Sequence, residues 1–378
     1  MARYRFDQIA INSTDKRKPE DKDQADYIGL EHLDSGSLKV TRWGSKVPLK
    51  GEKLVMKKGD VLFGKRNAYL RRAAISPHDG LFSAHGMVLR PKTEIVDPEF
   101  FPFFIGSDYF FDRAIKISVG SLSPTVNWRD LKKEEFDLPS IPEQKKLTKV
   151  LRAISITKYA YEDLVRQTDE LVKSQFIEMF SVEKGWPLVK LSTLCDSIVR
   201  GPFGSALKVS FFVEKGPGAV KVYEQKNAIQ RSAKIGESYV TQDKYQELKR
   251  FSCGPGDFIM SCSGTIGCLY QIPEDAEPGI INQALCKFHL NGKMLPEVFL
   301  TYMRNSVDQL ETKGSGIKNI GAVSYIKNME IALPPIEVQQ QFAEFIEQSD
   351  KSKFELQYVN RNVKEMITCS QKKIRLNR

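Results

Sequence analysis

Two stretches of the chain repeat their apolar positions in alternating steps of three and four. The first runs through Leu147, Val150, Ile154, Thr157, Tyr161, Leu164, Thr168, Leu171 and Gln175. Adding 195 to each number gives Phe342, Phe345, Ser349, Ser352, Leu356, Val359, Val363, Met366 and Ser370. Neither stretch is broken by Pro or Gly, and the spacing draws one stripe along one face of a helix. It predicts two long helices whose stripes form a shared core, with Leu147, Val150, Ile154, Tyr161, Leu164, Leu171, Phe342, Phe345, Leu356, Val359, Val363 and Met366 as its apolar members. Pro142 suits the first turn of the first helix, where no partner for its N–H is needed. Gly185 and Pro187 place its end near Phe180.

The remainder reads differently. Residues 1–140 and 182–334 hold short β-rich runs (DVLFGK, RAAIS and MVLRP; then DFIMSC, GCLYQI and ALCKFHL) separated by turn residues. Each has one helical stretch, at 100–111 and 297–310. The two parts also echo each other. Leu138-Pro139, Ile141 and Gln144 align with Leu333-Pro334, Ile336 and Gln339. Gly59-Asp60-Val61-Leu62 aligns with Gly256-Asp257-Phe258-Ile259, and Asp97-Pro98-Glu99 with Leu295-Pro296-Glu297. A repeat this long is a duplicated domain rather than a solenoid unit. One departure is Val338 where the first copy has Glu143, which removes a carboxylate from one helix start. The expectation is an α+β protein with an internal pseudo-two-fold repeat. Its parts are a globule at 1–140, a helix at 141–181, a second globule at 182–334 and a second helix at 335–378.

Geometry adds a functional expectation. A helix of about 39 residues is roughly 58 Å long. Two such helices paired antiparallel would hold the globules at opposite ends, as in a symmetric dimer that reads two half-sites on DNA. The helix length caps their separation at about 17 base pairs. Charge agrees: 57 Lys+Arg against 47 Asp+Glu give +10 and a pI near 9.1, a balance suited to a polyanion. Cys195, Cys253, Cys262, Cys268, Cys286 and Cys369 form no C-x-x-C pair, so free thiols in a reducing cytoplasm are expected. The N-terminus has no secretion-signal core, and no run of 18 apolar residues predicts a membrane span.

The first half carries YIGLEHLDSG from Tyr27, GDVLFGKRNAYLRRAAIS from Gly59, and SLSPTVNWRDL before DLPSIPEQ. The second carries KSQFIEMF from Lys173, GPFGSALK from Gly201, SGTIG from Ser263 and IALPPIEVQQQFAEFIE from Ile331. In order and spacing, over nearly the whole chain, these resemble specificity subunits of type I restriction-modification systems. The resemblance implies two target-recognition domains, each reading one half of a bipartite site on double-stranded DNA. It also implies two spacer helices that dock two methyltransferase subunits, joined by a motor/nuclease subunit. Cofactors would then belong to partners: S-adenosylmethionine for adenine methylation, ATP and Mg for translocation and cleavage. This chain would hold none and catalyse nothing.

The densest basic-aromatic run is Lys57, Lys58, Lys65, Arg66, Asn67, Tyr69, Arg71 and Arg72. Arg can fork onto guanine, Asn onto adenine, and any of the cations onto phosphate. Asn127, with Trp128, lies in a second loop of the same globule. In the other globule Lys208, Ser263, Thr265, Lys318 and Asn319 sit in polar or Gly-rich turns that could approach a phosphate backbone. Residues 59–65 also spell G-x-x-x-x-G-K, but Arg66 stands where a nucleotide-binding loop needs Ser or Thr. The four histidines lack metal-ligand spacing, and no D/N-P-P-Y/F methylation motif is present. Two rival readings remain: a methyltransferase or nuclease in its own right, and a two-headed scaffold with no DNA role.

Overall fold

The computed structural model describes residues 1–306, 312–313, 319–320 and 323–376, and side chains up to 306 and from 323 to 356. The chain divides into two compact units, Met1–Asp163 with Leu356–Arg378, and Leu164–Glu355. The first unit opens with β1 (Ala2–Arg5), α1 (Phe6–Ile9), β2 (Ala10–Ser13), β3 (Lys16–Arg17) and β4 (Tyr27–Ile28). There follow β5 (Lys53–Met56), β6 (Val61–Phe63), β7 (Ala73–Ile75), β8 (Gly80–Phe82) and β9 (Met87–Pro91). Then come α2 (Phe101–Ile105), α3 (Asp108–Lys116), α4 (Trp128–Leu131) and β10 (Glu135–Leu138). β10 pairs antiparallel with β1; the other strands form two four-stranded sheets ordered β2-β9-β6-β7 and β3-β5-β8-β4.

Strand parity explains the layering. Val61 and Phe63 of β6 point into a cluster with Phe6, Phe104, Phe110 and Phe136, whereas Leu62 points the other way, towards Ile28, Leu54 and Phe82. Both faces of the sheet are therefore covered, and the run VLF is wholly buried. Phe63 meets Phe110 and Phe111 edge-on or tilted, at 5.4 and 5.8 Å between ring centres. Each such buried ring stabilises the fold by about 2–3 kcal/mol. Ser107 begins α3 by accepting the Phe110 N–H on its hydroxyl.

The long helix α5 (Ile141–Phe180) leads to β11 (Leu188–Lys190), β12 (Cys195–Arg200), β13 (Val220–Tyr223), α6 (Gln225–Ile229), β14 (Tyr239–Val240) and α7 (Gln242–Glu247). Next are β15 (Ser252–Cys253), β16 (Phe258–Ser261), β17 (Leu269–Gln271), β18 (Gly279–Ile281), β19 (Leu285–Leu290) and α8 (Pro296–Asn305). β20 (Thr312–Lys313), β21 (Asn319–Ile320), α9 (Val323–Lys327), β22 (Glu330–Ala332) and α10 (Ile336–Leu376) complete the order. The topology of the first unit recurs. β11 pairs with β22 as β1 does with β10, and β12-β19-β16-β17 repeats β2-β9-β6-β7. In the remaining sheets, parallel β13–β18 with antiparallel β15 matches parallel β4–β8 with antiparallel β5. The fourth strand differs, for β3 extends the β5 edge whereas β14 extends the β13 edge.

The repeated motifs turn out to be joints. Gln144 is fully buried; its Oε1 accepts the Asp97 N–H at 2.8 Å, and its Nε2 donates to the Ile95 and Pro139 carbonyls at 3.0 and 2.9 Å. Gln339 does the same with Leu295 N–H (2.9 Å) and the Lys293 and Pro334 carbonyls (3.2 and 3.0 Å). One amide thus rivets each long helix to the loop before a shorter one. The turn into β6 is capped by buried Asp60, which accepts the Lys57 N–H and pairs with Arg90 at 2.7 Å. Asp257 repeats this with the Gly254 N–H and His289, at 2.9 and 2.6 Å. The Val338 departure is neutral for a simple reason. Glu143 accepts the Ser140 N–H at 2.9 Å, but the residue matching Ser140 is Pro335, which has no N–H to satisfy.

The helical stripe needs correction. Val150 and Leu171 are 51% and 53% exposed, and Leu164 is exposed too. On the first part of α5 the buried face holds Gln144, Thr148, Leu151 and Lys158 instead, with Leu147 packed beside the first core, while Ile154 and Tyr161 are half-buried. That part of α5 packs on its own globule, and its polar members are satisfied there: Lys158 Nζ donates to the Gly36 carbonyl at 3.0 Å. In the second unit α5 and α10 do run antiparallel. Phe342 contacts Phe176 and Phe180 at 5.5 and 5.2 Å, and Lys353 reaches back to Asp169 at 3.1 Å. Phe345 joins that core and Leu356 is half-buried; the side chains of Val359, Val363 and Met366 lie outside the described residues.

Candidate nucleic-acid interface

In the first unit β2 ends, β6 ends, β7 begins and β9 begins at one edge of a single sheet, since Ser13 pairs with Val88, and Phe63 with both Met87 and Ala73. The connections leaving that edge are 14–15, 64–72 and 83–86. A fourth loop is stitched to them: Asn67 N–H donates to the Pro124 carbonyl at 2.7 Å, Val126 N–H to the Lys65 carbonyl at 2.9 Å, and Arg66 bridges to Thr125. The structure therefore brings 65–72 together with 118–127, the loop that ends at Asn127. Lys57 and Lys58 precede β6 and so leave the cluster, at the opposite end of that strand.

The eight residues singled out in this run have different circumstances. Arg66 is exposed, its Nη2 resting on the Ser123 hydroxyl at 3.1 Å. Arg72 is half-buried and its charge reaches the Asp34 carboxyl, but among the described residues neither of these guanidiniums makes a close ion pair with a carboxylate. Lys65 is half-buried; desolvation first, then the like charge of Lys16, lowers its pKa. A bound anion would relieve that repulsion. Tyr69 is exposed. Arg71 is committed elsewhere: its two Nη groups reach Asp108 and Asp112, each at 2.8 Å, and its guanidinium lies over Phe111. Asn67 adopts the left-handed conformation (φ 55°), and its Oδ1 is enclosed without a partner, so it shapes the loop rather than presenting an amide edge. Residues 59–65 run through β6 into a short turn at Ala68–Leu70, which is not the strand-to-helix geometry of a nucleotide-binding loop.

The same edge exists in the second unit, where Arg200 pairs with Cys286, Ser261 with Leu285 and Met260 with Leu269. Its loop 262–268 replaces the cationic run by Ser263-Gly264-Thr265-Ile266-Gly267, with Gly264 (φ 62°) standing where Asn67 stands. Gln225 Nε2 donates to the Ser263 carbonyl and, at 3.3 Å, to that of Thr265, which holds this loop to α6. Lys208 is exposed on the connection leaving β12. Lys318 lies outside the described residues; Asn319 lies in β21, its side chain likewise outside them.

Sequence reasoning missed Lys16, Ser123 and exposed Leu122 (96% accessible) on the first edge, and Arg200, Phe203 and Gln225 on the second. Only GPFGSALK carried a signal, an aromatic between turn-forming glycines. Among the described residues no group of three or more His, Cys, Asp or Glu side chains could hold a metal ion, and no helix is long and apolar enough to cross a membrane.

A family model described as the type I restriction modification DNA specificity domain matches residues 8–162 and again 184–364. A protein of Methanocaldococcus jannaschii named as the MjaX type I restriction enzyme specificity subunit is 21% identical over 402 residues, covering 97% of this chain and 89% of that protein. Among solved structures, a chain from work titled on complex assembly and conformational transition of the type I R-M system superimposes with a TM-score of 0.59. It is 18% identical, and the match covers 99% of this chain and 97% of that one. The type I restriction-modification S subunit of M. genitalium gives 0.50 at 12% identity, over 99% and 95%. These two likenesses concern the fold.

Proposed function

This chain belongs to the type I restriction-modification DNA specificity family, as two successive domain matches spanning most of its length require, and from that premise we propose how it works. It is a DNA-recognition subunit, and it reads a bipartite site in double-stranded DNA, one half with each globule. The observation that carries this reading is the recurrence of one sheet edge in both units with different loop chemistry: Lys16, Lys65, Arg66 and Arg72 on the first, Ser263, Thr265 and Arg200 on the second. Like scaffolds with unlike loops suit two half-sites of unlike sequence. The cations set register on the phosphates, while base reading falls to side chains beside them.

The chain catalyses nothing itself. Its long helices carry exposed Lys, Glu and Gln faces, on which two methyltransferase subunits dock and through which a motor/nuclease subunit is recruited in the cytoplasm. S-adenosylmethionine, ATP and Mg are held by those partners. The test is a salt titration of duplex binding by the full chain. Phosphate neutralisation makes log affinity fall linearly with log salt. Affinity indifferent to both salt and sequence would instead support a scaffold without a DNA role.

A further inference from the structure

The connection leaving β12 displays an aromatic ring to solvent. Gly201 donates its N–H to the Leu285 carbonyl at 2.9 Å, and a Cβ at this position would lie 1.9 Å from the Asn282 carbonyl oxygen. Only glycine fits there. Pro202 is buried, and Gly204 turns the chain away with φ at 64°. Held between these, Phe203 is 64% exposed. Arg200 lies over its ring, guanidinium carbon 5.0 Å from the centroid, with Nε donating to the Gln283 carbonyl at 3.3 Å. A guanidinium stacked over the ring leaves the exposed part of the π-surface to water. Phe203 leaves the same sheet edge as Ser263 and Thr265, because Gly201 is bonded to Leu285 and Cys262 to its neighbour Ala284.

An apolar ring fixed in water at the edge of a DNA-reading surface has a defined use. Proteins that open a base step insert such a side chain, and every base offers it a π-face. We propose that Phe203, backed by Arg200, stacks on a nucleobase at an opened step of the half-site read by the second globule. In the first globule the connection leaving β2 is only residues 14–15, running straight into β3 at Lys16, whose neighbour Arg17 is paired with Asp23. The first edge sets its exposed aromatic, Tyr69, among Lys65, Arg66 and Arg72, whereas on the second Phe203 lies under Arg200. This rests on the DNA-recognition reading above.

The test uses the full chain and duplexes that it selects from a randomised pool, with 2-aminopurine placed in turn along the selected site. The base brightens where its stack opens. The wild type should give a bright position within the half-site read by the second globule. Phe203→Ala should abolish that signal and weaken binding about ten-fold with an unchanged salt slope. Phe203→Trp should keep the affinity, whereas Phe203→Leu, apolar but without a π-face, should not. Phe203 is exposed, so none of these changes removes core packing. A selected site to which Phe203→Ala binds as the wild type does, or along which no position brightens, overturns the inference and leaves the DNA reading standing. A chain that selects no sequence overturns both.

Discussion

Replacing Gln144 by methionine keeps the volume of the side chain but removes its donor and acceptor. The Asp97 N–H loses its partner inside the protein, and the Ile95 and Pro139 carbonyls each lose a donor. An orphaned buried polar group costs about 1–3 kcal/mol, and a carbonyl keeps a second lone pair, so the total should be about 2–4 kcal/mol. Glutamate is the sharper probe. Ionised, it could still accept from Asp97, but it would set an oxygen against two carbonyl oxygens and bury a charge, so Gln144→Glu should destabilise at least as much as Gln144→Met at neutral pH. Urea unfolding followed by amide exchange, resolved by peptide, reports each unit separately, which a single transition would not. Protection should fall around 95–100 and at the start of α5. Gln339→Met should do the same around 293–299, by a similar amount, because its three partners repeat. A loss below about 0.5 kcal/mol for Gln144→Met, or a neutral Gln144→Glu, would show that the amide joint is not what fixes the helix to its globule.

Three further outcomes follow from particular contacts. Arg66→Ala should weaken duplex binding and lower the salt slope by about one, whereas Arg71→Ala should leave the slope alone and cost about 1 kcal/mol of stability, because its charge is spent on Asp108 and Asp112; equal slopes for both variants would refute that division. Asp23 receives both Arg17 Nη groups at 2.6 Å and the Glu20 N–H at 2.7 Å, which hold its carboxyl below the ordinary range. A depressed folded pKa means that the contribution is complete above about pH 4 and is lost as pH falls through the folded value, so exchange protection of residues 17–24 should decline in acid and Asp23→Asn should flatten that decline. Glu143→Ala should fray the first turn of α5 in amide exchange, while Val338→Glu should not tighten α10, since Pro335 offers no N–H to accept from.

Much of the architecture was legible because it depends on local pattern. The runs VLF, MVLRP and LCKFHL alternate between two buried faces and are strands β6, β9 and β19. Freedom from Pro and Gly, with Pro142 in the first turn, marked α5 from Ile141 to Phe180. The duplication showed in Leu-Pro-x-Ile and Gln, and the Gln makes the same three hydrogen bonds in both copies. The face of α5 was misread because its buried stripe includes Gln144, Thr148 and Lys158, polar groups satisfied by partners distant in sequence, so counting apolar positions pointed one step aside. Arg71 looked like a free cation for a similar reason, as its carboxylates lie 37 and 41 residues away. Lys57 and Lys58 are neighbours of Lys65 in sequence but are separated from it by the length of β6. Phe203 was quoted only as part of a family element, because nothing local says which way a loop aromatic faces.

The central claim is that two globules of one topology read two separate parts of one DNA site. It is tested most directly by exchanging residues 1–140 for the corresponding segment of another specificity subunit and selecting bound duplexes from a randomised pool with each protein. The account predicts a motif in two specified segments, of which the exchange rewrites one and leaves the other intact. A motif with one specified segment, or an exchange that alters both segments or neither, would contradict it.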